Sequence, residues 1–365
     1  MLRYSLCVAA FASVFLPTEA ISQQYTMIDC GAMVGTATIG AIGSGGQAVW
    51  SAANVSGVGY SYTPYSYINS VFSNLSQTHG LTNTQVRGIN GENVIVGKGG
   101  VFDAVGFYLK GNQFNEISIP PFGSSGRMFA YAISDSGDVA LGYASGSAAK
   151  FNVNTLTGEF VNSLQSFQTA EGYAINDNGA MAGYGYVSAP GGGVHRRAAF
   201  WDGSSVTNLG GLSEAESVAL GINNQGDIVG QSIANERGLP FIYRNGVMSR
   251  LAPDSLFSTA SYSQANDINN LGTVVGTYDS AIGTRGFIWT QDGGLVNLQS
   301  LVNNANGMII QRAFAINDSG WIVANGFNPN GGINHAILLA PVPEPTTIFA
   351  LGSMLAILKL RRKRK

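Results

Sequence analysis

A short pattern of apolar and turn-forming residues, here called the repeat phrase, recurs along most of the chain. It consists of Ile, usually Asn, two turn residues, Gly, one variable residue, two apolar residues, and finally Gly or Ala. Its initial Ile stands at seven positions: Ile42, Ile89, Ile133, Ile175, Ile222, Ile268 and Ile316. The intervals of 42 to 48 residues indicate one repeated supersecondary unit, with a period typical of propeller blades.

The repeat phrase predicts a tight hairpin: a strand ends at Ile, an Asn-led turn contains Gly at positive φ, and an apolar strand follows. In the second copy Asn93 replaces the Gly, and Asn is the residue best able to do so at positive φ. In several units an aromatic strand such as Phe200-Trp201, a turn such as Asp202-Gly203, and a short strand ending in Leu come next. Four strands per unit predict an all-β, seven-bladed β-propeller-like ring over residues 21–341.

The two ends of this array complement each other. The last unit stops at residues 335–340 and lacks a fourth strand, whereas residues 25–30 offer a spare strand. We expect this N-terminal strand to complete the last blade, which closes the ring and covers an exposed sheet edge. Cys30 then stands where other units carry Leu, which predicts a buried small hydrophobic residue. With Cys7 in the expected leader, Cys30 has no disulfide partner.

Residues 1–20 have the features of a secretory signal peptide. Arg3 gives a positively charged start, residues 6–16 are apolar, and Thr18 and Ala20 flank Glu19 as a small-x-small cleavage site. We expect cleavage after Ala20, and a buried N-terminal strand is the alternative.

The C-terminal residues 342–365 contain three segments in succession. Pro343, Glu344 and Pro345 are followed by an apolar stretch at residues 348–358 and by a basic run at residues 361–365. The apolar stretch is about half of the ~20 residues that a comfortable membrane span needs. The basic run would hold the end of the chain in the cytoplasm.

This order of segments resembles the PEP-CTERM sorting signal, with Pro343, Glu344 and Pro345 as its motif. The resemblance implies that exosortase, a membrane protease-transpeptidase, recognises the motif and removes the tail. It also implies a Gram-negative bacterium that makes extracellular polysaccharide or biofilm. The protein would be exported across the inner membrane to the cell surface or beyond, transiently anchored by a C-terminal transmembrane helix. An ordinary C-terminal membrane anchor is the alternative.

The repeats resemble the HAF family of extracellular repeats over residues 25–340. His335-Ala336-Ile337 nearly matches the triplet after which the family is named, and Ala199-Phe200 carries its second half. The resemblance implies a β-propeller-like body in an exported bacterial protein, and it implies no particular reaction.

The distribution of charge argues against one class of partner. Charged residues are only 11% of the chain, and the formal net charge is −2. Without the two ends, which contain Glu19 and Glu344, 12 basic residues face 19 acidic residues, so that the body is near −7. A nucleic-acid-binding domain would carry a basic face, and we therefore expect no nucleic-acid partner.

Candidate metal ligands are few. Three phrase turns contain an Asp, at Asp135, Asp177 and Asp318, and calcium is the alternative interpretation of these turns. Each turn supplies one carboxylate, whereas a calcium loop needs six or more oxygens. The three histidines fall at different places in different units, at His79, His195 and His335. We expect no metal, no cofactor and no catalytic residue.

Two segments outside the repeat phrase are candidate contact surfaces. The first is a cluster of tyrosines around a proline: Tyr60, Tyr62, Tyr65 and Tyr67. Exposed tyrosines suit binding, although a strand that alternates Tyr outward gives the same sequence. The second is His195, which precedes two arginines on a Gly-rich segment. We interpret it as a solvated loop, with contact to an anionic ligand as the alternative.

These observations favour a non-enzymatic surface or matrix protein whose propeller binds a polysaccharide or a protein. The alternative is a glycan-active hydrolase or lyase on the same fold, and a third hypothesis is a purely structural envelope component. A glycosidase would need two carboxyl groups about 5–10 Å apart in a channel mouth, whereas a channel lined by Ala, Ser and Gly would favour binding or structure. The carboxylates available outside the repeat phrase are Glu116, Asp138, Glu159, Glu171, Glu214 and Glu216.

Overall fold

The computed structural model describes residues 23–343, except positions 34, 57–58, 100–104, 120–127, 144–145, 166–168, 190–191, 204, 213–215, 235–236, 254–255 and 257–261. The expected signal peptide with Ala20, the motif residues Glu344 and Pro345, and the expected C-terminal helix lie outside the described residues. Among the residues that are described, no helix is long and apolar enough to cross a membrane.

Strands joined by tight turns make up the described chain, in agreement with the expected all-β class. The first half contains β1 (Tyr25–Met33), β2 (Thr36–Ile42), β3 (Ala48–Ser56), β4 (Gly59–Ile68), β5 (Val71–Asn74), β6 (Gln85–Ile89), β7 (Ile95–Gly99), β8 (Val105–Lys110), β9 (Gln113–Glu116), β10 (Met128–Ile133), β11 (Asp138–Tyr143), β12 (Ala148–Asn152), β13 (Thr157–Phe160) and β14 (Ala170–Ile175). The second half contains β15 (Met181–Ser188), β16 (Val194–Asp202), β17 (Ser205–Gly210), β18 (Glu216–Ile222), β19 (Ile228–Ala234), β20 (Arg237–Arg244), β21 (Val247–Arg250), β22 (Gln264–Ile268), β23 (Val274–Ser280), β24 (Gly283–Thr290), β25 (Gly294–Asn297), β26 (Ile309–Ile316), β27 (Ile322–Asn328) and β28 (Ile333–Pro341). Two short helices are also present, α1 (Leu75–His79) and a 3-10 helix (Leu298–Leu301).

The strands form antiparallel sheets in the order of the chain, and together they build a β-propeller. Five sheets have four strands each: β2–β5, β6–β9, β18–β21, β22–β25, and β26–β28 with β1. The sixth sheet has eight strands, β10–β17, and consists of two four-stranded meanders that meet at the single pair Gly142–Glu171. The expectation of seven separate four-stranded blades is therefore corrected to five such blades and one eight-stranded sheet.

The two meanders join because Gly142 has no side chain. A Cβ at this position would lie 2.8 Å from the Tyr131 ring and 3.0 Å from the Glu171 side chain. In this unit the repeat phrase has one extra residue, which shifts its final Gly by one position. β11 and β14 can therefore approach closely enough to share one pair.

The repeat phrase forms the hairpin that its sequence predicts. Ile222 pairs with Ile228, and Ile316 pairs with Ile322, across the turn. In the second unit Asn93 has φ of 63°, as expected for its substitution of Gly. The phrase glycines with φ between 76° and 88° are Gly46, Gly137, Gly179, Gly226, Gly272 and Gly320.

The Asn of the repeat phrase joins neighbouring units. At Asn223 the side-chain oxygen accepts hydrogen bonds from the backbone N–H groups of Gln225 (3.1 Å) and Asp227 (2.9 Å). Its Nδ2 donates to the backbone oxygen of Asn269, the equivalent residue of the next unit (3.1 Å). Equivalent bonds run from Asn90 to Ser134, Asn176 to Asn223, Asn269 to Asn317, and Asn317 to Gly43. The last of these returns to the first unit, so that the turns surround the channel.

The N-terminal strand closes the ring, as the sequence predicts. β1 pairs antiparallel with β28, from Tyr25 opposite Pro341 to Met33 opposite Asn334. Cys30 is 8% exposed within this strand, which confirms its expected place in the core. Burial raises the pKa of its thiol to about 12, and a thiol that stays protonated is chemically inert.

The core lies between adjacent sheets and is filled by the aromatic residues of the middle strands. Trp50, Phe107, Trp201, Phe241 and Phe287 are all 0–1% exposed. These large side chains pack between neighbouring sheets and cover their faces. Each unit is too small to fold alone, and it therefore depends on this packing against its neighbours.

Candidate functional site

The innermost strand of each unit lines a central channel. In most units this strand has a β-bulge whose side chain faces the channel. Six inner strands shift register at one residue, which stands two positions before the phrase Ile: Arg87, Tyr131, Tyr173, Leu220, Asn266 and Phe314. All six side chains line the channel. A β-bulge turns a side chain away from the regular pleat, and here it places one selected residue per unit at the channel wall.

The final Gly of the repeat phrase permits this bulge. A Cβ at Gly97 would lie 2.0 Å from the backbone oxygen of Gln85, and one at Gly183 would lie 1.9 Å from that of Glu171. The same clash would arise at Gly230 and Gly276, at 2.0 and 2.2 Å. In these four units a side chain at the Gly position would clash with the backbone of the inner strand, whereas the bulged units at Tyr131 and Phe314 have Leu141 and Ala324 there.

The channel widens at the end opposite the phrase turns into a cavity of about 570 Å³, here called the aromatic mouth. Its lining includes Arg87, Tyr131, Tyr173, Tyr262, Gln264, Asn266 and Arg312. This volume is within the range of small-molecule sites in proteins, about 300–1,000 Å³. The aromatic mouth is therefore large enough to hold one or two sugar rings.

Five aromatic side chains form a continuous row beside the aromatic mouth. The aromatic row consists of Phe129, Tyr131, Tyr173, Tyr184 and Tyr186, with successive ring centroids 6.4, 4.7, 5.5 and 5.7 Å apart. The rings come from β10, β14 and β15, the strands that meet where the two meanders of the eight-stranded sheet join. The junction thus creates an aromatic surface that neither unit has alone.

Glu171 lies at the centre of this row. Tyr131 donates from Oη to Glu171 Oε2 at 2.9 Å, and the rings of Tyr173 and Tyr184 continue the row beside it. Burial, followed by the negative charge of Glu171, raises the pKa of each of these tyrosines above its ordinary value. The tyrosines therefore remain neutral hydrogen-bond donors at physiological pH, and Glu171 is held as a fixed acceptor.

Cationic side chains lie over the faces of the row. The Arg87 guanidinium is 4.8 Å from the centre of the Tyr131 ring, and Lys98 Nζ is 4.9 Å from that of Phe129. Arg196 lies over Tyr184 at 5.6 Å. Cation–π contacts of this kind fix the position of a long side chain, so that the charges are in place before a ligand arrives.

The opposite wall of the aromatic mouth carries amide, hydroxyl and carboxylate groups. Asp279 accepts from the backbone N–H of Tyr262 at 3.0 Å and from Thr284 Oγ1 at 2.8 Å. Gln264 and Asn266 lie beside them in the lining and bond to each other. One wall is thus aromatic and cationic, and the other offers donors and acceptors for hydroxyl groups.

Comparison with known families and structures identifies the family of the chain and shows which solved structures share its fold. Residues 129–334 match the family described as "Protein of unknown function (DUF3466)". The chain belongs to the DUF3466 family. No curated protein matches its sequence.

Two solved structures share the fold of this DUF3466 protein. The β-propeller domain of the Trilobed protease from Pyrococcus furiosus has a TM-score of 0.56 and 10% sequence identity, over 86% of this chain and 97% of that chain. The WD40 repeats of RRP9 have a TM-score of 0.53 and 10% identity, over 88% and 98%. At such identity the likeness shows the β-propeller fold alone.

The predicted tyrosine surface of the DUF3466 chain is not a single exposed cluster. Tyr65 is 3% exposed and stacks on Phe72 with ring centroids 5.3 Å apart. Tyr67 packs against the same core, and Tyr62 is half-buried. The side chain of Tyr60 lies outside the described residues. The prediction is wrong for Tyr65, because β4 turns the tyrosines after Pro64 inward.

The structure also separates the three histidines. His79 ends α1, His195 lies half-buried in β16, and the ring of His335 contacts Asp29 at 2.9 Å where β1 meets β28. In the described part of the chain, no group of three His, Cys, Asp or Glu side chains is placed to hold a metal ion. Arg196, which follows His195 in β16, lies over the ring of Tyr184 in the aromatic row.

Sequence reasoning missed the residues that build the aromatic mouth. The sequence suggests no partner for Glu171, whereas in the structure its carboxylate accepts a hydrogen bond from Tyr131 and lies among the rings of the aromatic row. One sequence pattern indicates these residues. The position two residues before the phrase Ile holds Arg87, Tyr131 and Tyr173 in consecutive units. Three large polar side chains at equivalent positions of a repeat indicate a shared surface.

Proposed function

We propose that this DUF3466 protein is an exported, non-enzymatic surface or matrix protein that binds polysaccharide at the aromatic mouth. The observation that carries the proposal is the aromatic row around Glu171, next to a cavity of about 570 Å³. Sugar rings present apolar C–H faces that pack on aromatic rings, and their hydroxyl groups bond to carboxylates, amides and tyrosine hydroxyls.

We further propose that the eight-stranded sheet acts as two blades, which makes the propeller seven-bladed. Hydrogen bonds between consecutive phrase turns support this interpretation, because one of them also crosses the merged junction, where the Asp135 N–H donates to Asp177 Oδ1 at 2.9 Å. The aromatic row then lies at the merged junction because the two blades approach each other closely there, which brings their inner aromatic residues together.

Export and processing belong to the same proposal. The sequence of residues 1–20 and the order of segments in residues 342–365 support secretion, followed by processing by exosortase at the cell surface. The test is the mass of the mature protein from a host that carries exosortase. Removal of the tail supports the proposal, and retention of residues 346–365 contradicts it.

A glycan-active enzyme is the alternative, and the chemistry around Glu171 favours binding over it. A hydrolase of the usual type needs a second carboxyl group placed opposite the first. The groups placed around Glu171 are tyrosine hydroxyls, and Asp279 lies on the other wall, bonded to Tyr262 and Thr284. The raised pKa values of Tyr131 and Tyr173 make these tyrosines poor bases at neutral pH.

The test is a glycan array probed with the purified protein and with Tyr173→Ala. We expect selective binding by the native protein and about a tenfold loss of affinity in the variant, because the ring that lines the aromatic mouth at the middle of the row is removed. Phe114→Ala is the matched control, since Phe114 is a 42% exposed aromatic residue on the outermost strand β9. A blank array contradicts the proposal, and sugar released on incubation would favour the enzyme.

A further inference from the structure

Three cationic side chains in or beside the aromatic mouth form no salt bridge in the described part of the chain. Lys110, Lys150, Arg196 and Arg244 each form a salt bridge with an acidic residue. No salt bridge joins Arg87, Lys98 or Arg312 to an acidic residue among the described positions. In a body with 12 basic and 19 acidic residues, cations without a salt bridge collected at one place are unusual.

Arg87 is held in a fixed position without being neutralised. Its Nη2 donates to Gln85 Oε1 at 2.8 Å, and its guanidinium lies over Tyr131 at 4.8 Å. Its Nε is buried and has no hydrogen-bond partner. Burial lowers the pKa of this guanidinium, the charge of nearby Glu171 opposes that effect without forming a salt bridge, and a bound anion would stabilise the charged form further.

Lys98 and Arg87 repel each other across the same surface. Burial, followed by the positive charge of Arg87, lowers the pKa of Lys98 below its ordinary value. An anion bound between them would relieve this repulsion and favour the charged form of Lys98. Arg312 is exposed and faces the same cavity from the neighbouring wall, where it can approach a second negative group.

We infer that the ligand of the aromatic mouth is an acidic polysaccharide, one whose sugars bear carboxylate or sulfate groups. The inference rests on the proposed function and specifies its substrate class. The anionic group would lie between Arg87, Lys98 and Arg312, while the sugar faces pack on the aromatic row. Glu171 and the opposite wall would accept hydrogen bonds from the sugar hydroxyls.

The geometry favours a sugar over a single-stranded nucleic acid, the other polyanion that aromatic and basic residues can bind. Tyr131 meets Tyr173 at 69°, and Tyr184 meets Tyr186 at 85°, so that the row presents edges and faces in alternation. Stacked bases need parallel platforms. Glu171 and Asp279 are suitable acceptors for hydroxyl groups, which a polysaccharide supplies in greater number than single-stranded DNA does.

Isothermal titration of the full mature protein tests the inference with four probes of matched length. The probes are a polygalacturonate fragment, a sulfated dextran, an unmodified dextran, and single-stranded oligothymidylate. We expect the carboxylated or the sulfated probe to bind at least about tenfold more tightly than neutral dextran, and its affinity to fall several-fold between low and moderate salt. Whichever acidic probe binds more tightly identifies the anionic group.

Variants separate a specific site from general attraction. Arg87→Gln and Arg312→Gln should each weaken binding of the acidic probe about tenfold and leave neutral dextran unaffected. Because Arg312 is exposed, its variant tests the site even where Arg87→Gln destabilises the fold. Lys110→Gln is the control, since Lys110 lies near the phrase turns and pairs with Glu92.

Three results would overturn the inference. Equal binding of neutral and acidic glycans, unaffected by either variant, removes the charge requirement and leaves the proposed function intact. Tighter binding of the oligonucleotide replaces the sugar with a nucleic acid. Binding of none of the glycans, here and on the array, overturns the proposed function as well.

Discussion

At the scale of single residues, Asp267 shows how one substitution in a repeat creates a chemical feature. It stands immediately before the phrase Ile, where the other units carry Ala or Gly. Its carboxylate lines the channel and accepts hydrogen bonds from the backbone N–H groups of Ile268 and Ile316, both at 2.9 Å. Burial outweighs these bonds and raises the pKa of Asp267 to about 7.

This carboxyl group should make stability depend on pH. Its pKa is higher in the folded state than in the unfolded state, so that the folded protein binds more protons between about pH 4 and 7. The free energy of unfolding should therefore decrease as pH rises through that window, by on the order of a few kcal/mol. Urea unfolding of the native protein and of Asp267→Asn at pH 5 and pH 8 measures the difference.

We expect the stability of Asp267→Asn relative to the native protein to increase from pH 5 to pH 8. Asp202→Asn serves as the control, because Asp202 is exposed at the end of β16 and should leave the pH dependence unchanged. Identical pH profiles for the native protein and Asp267→Asn would contradict the assignment.

At the scale of elements, the repeat phrase is both a hairpin and a connector between units. Its Asn accepts within its own turn and donates to the next unit, so that each turn is tied to its neighbour. Both roles need an amide, because Asp lacks a donor and Ser cannot span both partners. The preference for Asn in the phrase thus has a physical origin beyond turn formation.

Asn269→Asp should destabilise the protein by about 1–3 kcal/mol. The substitution keeps the acceptor for the turn but places a buried carboxylate against the backbone oxygen of Asn317, to which Asn269 Nδ2 now donates at 3.1 Å. Asn208→Asp is the matched control, since Asn208 is exposed and its side chain only accepts, from the N–H of Gly210. Denaturant midpoints compare the two, and equal small losses would show that the inter-unit bond is dispensable.

The elements also show where prediction from sequence succeeds and where it stops. The phrase hairpins and the closing β1 are set by local turn residues and by a period, both of which are visible in one sequence. The inward position of Tyr65 cannot be derived from the sequence, because a strand with alternating tyrosines has the same pattern whichever of its faces is buried. The contact of Tyr131 with Glu171 spans 40 residues and depends on two bulges and on Gly142, which no local pattern reveals.

At the scale of the whole molecule, the ring has two unlike ends. One end carries the phrase turns, with Asp135, Asp177 and Asp318 among the groups that surround the channel. The other end carries the aromatic row and the unpaired cations Arg87 and Lys98. β1 holds these ends in a fixed relation by closing the last sheet, so that a ligand meets a preformed surface rather than one assembled on binding.

Hydrogen exchange measured by mass spectrometry, with and without the tightest-binding glycan of the array, tests the central claim most directly. The account predicts slower exchange in β10, β14 and β15, whose strands carry the aromatic row, and unchanged exchange in residues 222–228 at the opposite end of the channel. Protection confined to another surface, with β10 and β14 unaffected, would contradict it.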